Sequence, residues 1–146
     1  MKKVLFGLMA ISLLAATGCK KDKDETCDLN TTTLQGTYKI TAATYKADAN
    51  APVEDEYATW DLCDKDDLYI LGANFQLTIT DAGQVCTPSN SDTGGWLFDA
   101  ANNQLSLIVP SGNVAGTVSN FSCSGMTLSV AGFDPGEVTT LTFAKQ

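Results

Sequence analysis

The chain has 146 residues and carries 9 basic side chains against 17 acidic ones, a formal charge of −8 at neutral pH, and that length suits one domain, not two. All the cations are lysines, and there is neither arginine nor histidine. These absences exclude a Ser-His-Asp or Cys-His nucleophile, a histidine-ligated zinc and a bidentate arginine clamp on phosphate, and so acidic a chain repels nucleic acid.

Residues 1–18 read as an address. Lys2 and Lys3 precede a mostly apolar run from Val4 to Ala16. That run is shorter than the about 20 helical residues needed to cross a bilayer core, and it fits a secretory signal. Ala16-Thr17-Gly18-Cys19 resembles the lipobox of bacterial lipoproteins, in which small side chains fit a narrow peptidase site and the following cysteine takes a diacylglycerol on its thiol. The resemblance implies cleavage before Cys19, lipidation of Cys19 and anchoring in a membrane, because several acyl chains hold a protein where a single myristoyl chain does not. Lys20 in place of Asp points to the outer membrane. Lys21-Asp22-Lys23-Asp24-Glu25 resembles a surface-export signal of one group of Gram-negative bacteria. The alternative is a solvated spacer on the periplasmic face. Residues 19–33 are charged and then Asn/Thr-rich, with only Cys27 and Leu29 apolar beyond the lipidated cysteine, and are expected to form a flexible tether.

From Leu34 onward the pattern alternates with period two and breaks at Gly, Asn, Asp and Pro, which predicts strands. The first covers Gly36 to Lys46, with Tyr38 and Ile40 on one face. Leu68–Leu71 is the second. The third is Phe75–Thr80, with Phe75, Leu77 and Ile79 in phase, and Gly95–Asp99 is the fourth. Leu105–Val109, Val114–Ser119, Met126–Val130 and Glu137–Ala144 complete eight. Clean alternation means one buried face, which suits either a closed barrel or a two-sheet sandwich. Closure has the advantage of removing both exposed edges.

Leu34-Gln35-Gly36-Thr37-Tyr38 looks like the Gly-X-Trp that opens lipocalin strands, with Tyr38 where that family has Trp. Cys63-Asp64-Lys65-Asp66-Asp67, Phe75, Cys86, Gly94-Gly95-Trp96 and Leu105-Ser106-Leu107 follow in an order similar to small bacterial lipocalin-like domains carried on lipoproteins (calycin type). The resemblance runs from Leu34 to Phe143. The arginine that closes one barrel end in many lipocalins has no counterpart. The resemblance implies an all-β, antiparallel, up-and-down eight-stranded barrel over residues 34–146. It names no ligand. The 47–67 connection matches in order the long first loop over a lipocalin mouth, where Pro52, Tyr57 and Trp60 are placed to cap it and a short helical turn is expected between Glu54 and Trp60.

Beyond Cys19 four cysteines remain: Cys27, Cys63, Cys86 and Cys123. An even number past an export step reads as disulfides, and three pairings are open. A hairpin centred on Ala73 sets Cys63 opposite Gly83, close to Cys86, which favours Cys63–Cys86 and by elimination Cys27–Cys123. No Cys-X-X-Cys is present to suggest a redox or metal role. The acids Glu54, Asp55, Glu56, Asp61, Asp64, Asp66 and Asp67 lack the later oxygens and glycine of a calcium loop, and read as a solvated, repelling segment. The candidate ligand cavity is lined by Tyr38, Ile40, Phe75, Leu77, Trp96, Phe98, Leu107, Val118, Met126, Leu128 and Phe143, unless these side chains simply fill the barrel. No catalytic residue, cofactor or metal is expected. The expectation is a monomeric, non-enzymatic, lipid-anchored outer-membrane protein whose barrel binds a small apolar or amphipathic molecule. The alternative is a filled barrel presenting its loops to a surface partner, or acting as an inhibitor.

Overall fold

A computed structural model describes residues 27–146; the signal segment, Cys19 and the first part of the tether lie outside the described residues. Nine strands follow in order: β1 Gly36–Lys46, β2 Glu54–Asp55, β3 Leu68–Leu71, β4 Gln76–Thr80, β5 Asp92–Asp99, β6 Gln104–Val109, β7 Gly112–Ser122, β8 Gly125–Ala131 and β9 Val138–Lys145. From β3 to β9 each strand pairs antiparallel with the next, β1 pairs with β3, and β9 returns to β1 from Tyr38↔Lys145 to Lys46↔Val138. This last ladder closes an eight-stranded up-and-down barrel and removes the sandwich alternative. The two-residue β2 is extra. It pairs with Thr44 and Tyr45 of β1, beyond the stretch that β3 covers.

The strands form where small turns allow tight reversals and alternate side chains are apolar. In β6, Leu105 and Leu107 are buried while Gln104 and Ile108 are exposed; in β8, Met126 and Leu128 are buried. The register shift between Ile40 and Ala42 moves β1 by one residue, so Tyr38 and Ile40 before it and Ala43 after it all turn inward. An inserted residue of this kind restores inward phase while sharpening the strand's bend.

Two strand boundaries differ from the alternation. Phe75 is not in β4. With Asn74 it adopts positive φ in the three-residue reversal Ala73–Phe75, between Gly72 and its partner Gln76, and it is 48% exposed. Alternation cannot see that pairing Leu71 with Leu77 leaves Phe75 to make the turn. In addition, β5 starts at Asp92, before Gly95. Its hidden first half contains Gly94, where a Cβ would strike the carbonyl of Ile108 on β6. The backbone approach needs a residue without a side chain, and that same residue gives no hydrophobic signal. Val114, placed in phase with Gly116 and Val118, stays 39% exposed at the start of β7.

The barrel has two unlike ends. One holds the start of β1, the end of β9 and the short reversals β3–β4, β5–β6 and β7–β8. Leu34 is fully buried there and Tyr38 Oη donates to its carbonyl at 2.9 Å. Lys145 Nζ donates to Thr33 O at 3.0 Å and lies 5.5 Å over the Tyr38 ring, an ammonium–π contact that is worth more where water is excluded. Burial pushes the Tyr38 hydroxyl up to about 12, so it stays a donor. Residues 27–33, read from composition as part of a flexible tether, are fastened here: Asn30 Oδ1 accepts from Thr32 N and Thr33 N at 2.9 and 3.0 Å, and Cys27 is disulfide-bonded to Cys123 in the β7–β8 turn. The opposite end carries the long 47–67 and 81–91 connections and the 132–137 turn.

Candidate functional site

The long-loop end holds a partly open pocket of about 360 Å³ lined by Trp60, Asp64, Asp67, Tyr69, Ile79 and Asn90. Three separate segments build it. Tyr69 and Ile79 face each other across β3 and β4 and form the floor, with Phe143 meeting the Tyr69 ring edge-on at 5.7 Å. Trp60 comes from the first loop, which a single 3-10 turn, Tyr57–Thr59, shapes; this is the helical turn expected there, shorter than the sequence suggests. Tyr57 packs against Trp60 with the rings tilted and their centroids 5.4 Å apart, and donates its hydroxyl to Ile40 O at 3.2 Å, while Glu56 N bonds Ala43 O at 3.0 Å. These bonds pin the loop to β1 and so fix Trp60. Pro52, the third expected cap, stays exposed.

Asn90 comes from the 81–91 loop, which the Cys63–Cys86 disulfide holds against the first loop (Cα–Cα 5.2 Å). Both cysteine pairings favoured by the hairpin arithmetic are present. Asn90 Nδ2 donates to Asp64 Oδ1 at 2.6 Å and to Asp67 Oδ2 at 3.2 Å. Asp81 organises the same loop, accepting from Cys86 N at 3.1 Å and Asn90 N at 3.0 Å. Gln84 N bonds Asp66 Oδ2 at 2.9 Å.

The acids of this segment are therefore not all solvated, as the sequence suggested. Asp67 is 4% exposed and Asp81 9%. The disulfide folds one loop over the other, and backbone N–H groups replace the water that Asp81 loses, whereas Asp67 is only partly compensated. The two titrate in opposite directions. For Asp81 burial opposes ionisation, but donors from Asn90, Ser89 and Cys86 outweigh it and hold the carboxyl below the ordinary range. For Asp67 burial pushes the carboxyl up, hydrogen bonds from the Asn90 side chain and the Ala82 backbone only partly offset this, and the charges of Asp81 and Asp64 push it further. One of its oxygens, Oδ1, is buried with no hydrogen-bond partner.

A raised folded-state value means Asp67 costs stability once it ionises: the cost is absent below the ordinary aspartate range, grows as pH rises from that range to the raised folded value, and is constant above it. Asp67→Asn keeps an acceptor for Asn90 and removes the charge. It is expected to be more stable than the parent at pH 7, because the buried charge is gone, and to lose that advantage near pH 3, where the parent carboxyl is protonated too. Thermal unfolding at the two pH values checks this.

Cys63, Asp64 and Cys86 lie close enough to suggest a metal set, but both sulfurs are committed to the disulfide and offer no thiolate. The acids are also concentrated at this end. Asp48, Glu54, Asp55, Glu56, Asp61, Asp64, Asp66, Asp67, Asp81, Asp92, Asp134 and Glu137 lie in the mouth loops and adjoining strand ends, against Lys46 and Lys65.

The eleven in-phase residues lie elsewhere. Tyr38, Ile40, Leu77, Trp96, Leu107, Val118, Met126, Leu128 and Phe143 are buried against one another with Leu34, Leu71 and Leu105, and Phe98 packs on their edge. They form the core, and none of them lines the mouth pocket. Phe75 lies outside that cluster, covering Trp96 at 5.2 Å between ring centroids. Of the pocket residues, the sequence pointed to Trp60 as a cap, and to Asp64 and Asp67 only as solvated charges; Tyr69, Ile79 and Asn90 went unmarked as site residues. Comparison with known proteins finds no matching family model, no matching curated protein and no matching solved structure.

Proposed function

We propose that the protein is a lipid-anchored, lipocalin-like binding module of the outer membrane, which takes a small amphipathic molecule at its mouth and not in the barrel's depth. The observation that carries this reading is the division of the barrel into a buried apolar core and an end where Trp60, Tyr69 and Ile79 meet a few polar groups around a pocket. Apolar walls with a small number of placed polar atoms are the usual make-up of small-molecule sites. Tyr38 under Lys145 at the closed end also gives the lipocalin resemblance a physical counterpart, an aromatic ring capped by a cation.

The anchor has a geometric consequence. Cys27 is fastened to Cys123 at the closed end. Eight Cα steps from Cys19 to Cys27 span at most about 28 Å. A lipid on Cys19 therefore holds the closed end, and not the pocket end, within about 28 Å of the membrane.

The test uses the protein from its own host. Cys19→Ser should move the chain from the membrane to the soluble fraction, and retention in the membrane fraction contradicts the anchor. Native mass spectrometry of the membrane-extracted protein should show a small molecule lost on denaturation; the mass of the lipidated chain alone counts against binding.

A second reading has its own observation. Leu62, Val53 and Val85 are 69%, 65% and 63% exposed on the mouth loops and Phe133 is fully exposed. Glu137 holds Phe133 out rigidly, its Oε2 accepting from Phe133 N at 2.8 Å and Asp134 N at 3.1 Å. Such a rim suits docking of a protein partner. Phe133→Ser would abolish partner capture under this reading and leave small-molecule retention unchanged under the first.

A further inference from the structure

Resting on the binding reading above, we infer that the mouth pocket selects an organic ammonium ion on a short apolar stem, the cation beside Asp67 and Asp64 and the stem between Trp60, Tyr69 and Ile79.

The first support is the orphaned oxygen. Asp67 lines the pocket, is 4% exposed, and its Oδ1 has no donor. A buried carboxylate without a counter-charge is costly, and a cationic ligand supplies what the fold does not. Lys65, two residues away, is turned elsewhere: its Nζ donates to Ala58 O at 3.4 Å and lies 5.2 Å over the Tyr57 ring. The second support is the composition of the walls. Aromatic faces attract ammonium groups through their quadrupole and also cover an alkyl stem. Trp60 and Tyr69 supply such faces in the same pocket as the two carboxylates.

The same geometry disfavours a hard metal ion. Calcium takes six to eight oxygens. Here Asp64 Oδ1 and Asp66 Oδ2 already accept from nitrogen donors, as do both oxygens of Asp81, and beyond the Tyr69 hydroxyl the Trp-Tyr-Ile wall has no oxygen to offer. Finally, the acids crowding the mouth loops create a negative field over the entrance, which concentrates cations there and repels anions.

The test is a titration of the 15N-labelled mature chain carrying Cys19→Ser, followed through the indole N–H signals of its two tryptophans. Trp60 lines the pocket and Trp96 lies in the core, so one reports and the other serves as control. The probes are hexylammonium, hexanol, hexanoate and calcium chloride. Hexylammonium should move the Trp60 signal and leave Trp96 in place, hexanol should bind at least about tenfold more weakly, and hexanoate and calcium should do nothing. Asp67→Asn should weaken hexylammonium severalfold, with Asp64 still present, and weaken hexanol much less, which separates lost charge from a damaged pocket. Equal binding of hexanol and hexylammonium, or an indifferent Asp67→Asn, overturns the ammonium inference and leaves the binding reading standing. A Trp60 signal that shifts with calcium overturns it in favour of a metal. Silence to all four probes removes both the inference and the small-molecule reading.

Discussion

Trp96→Ala is expected to cost about 3–5 kcal/mol of folding stability, the range for removing a large aromatic from a packed core. Trp96 is 1% exposed on β5, faces Leu107 across the β5–β6 ladder and donates Nε1–H to Gly72 O at 3.0 Å. The bond ties β5 to the reversal between β3 and β4, and the Phe75 ring covers it from outside. Alanine opens a cavity and also strands the Gly72 carbonyl. Trp96→Phe should recover most of the loss, leaving about 1 kcal/mol for the missing hydrogen bond. Trp60→Ala, at the mouth, should do the reverse: little loss of stability and loss of ligand retention. Urea unfolding followed by far-ultraviolet circular dichroism measures the three side by side. A Trp96→Ala chain as stable as the parent would show that the filled end is not where the stability lies.

The second large effect is at Cys27–Cys123. Its partners are 96 residues apart in sequence, against 23 for Cys63–Cys86. A crosslink restricts the unfolded chain more as the loop it closes lengthens, giving about 4–5 kcal/mol for the first and about 3 kcal/mol for the second. The paired serine variants should therefore lose stability in that order. They should also differ in kind. Loss of Cys27–Cys123 frees the segment before Leu34 and leaves the mouth intact. Loss of Cys63–Cys86 releases the 81–91 loop from the first loop, so Asn90 leaves Asp64 and Asp67, and the pocket opens at a smaller cost in stability. Unfolding midpoints together with the Trp60 indole signal distinguish the two.

Much of the fold can be read from the chain, for local reasons. Leu105-Ser106-Leu107 and Met126-Thr127-Leu128 alternate because each strand has one buried face, and that rule acts within a few residues. The Cys63–Cys86 pairing is equally local, since a hairpin around Ala73 brings the two cysteines together. What the chain conceals depends on tertiary contacts. Glu54–Asp55 forms a strand only because the loop folds back on Thr44 and Tyr45, and two acids give no strand signal. Phe75 obeys the alternation and is exposed because the turn needs its backbone. The candidate site suffers most. Apolar periodicity finds the side chains that face inward, and those side chains form the buried core. Tyr69 and Ile79 also face inward, but only the loops above them make them walls of a pocket. The burial of Asp67 arises because a loop more than a dozen residues later is stapled across it.

The most direct measurement is a crystal structure of the protein grown with hexylammonium. Density is expected for the alkyl chain between Trp60 and Tyr69, with its nitrogen beside the Asp64 and Asp67 carboxylates and Phe143 still packed beneath. Density among Tyr38, Trp96 and Met126 in the barrel's depth, or a mouth pocket left empty at saturating ligand, would contradict it.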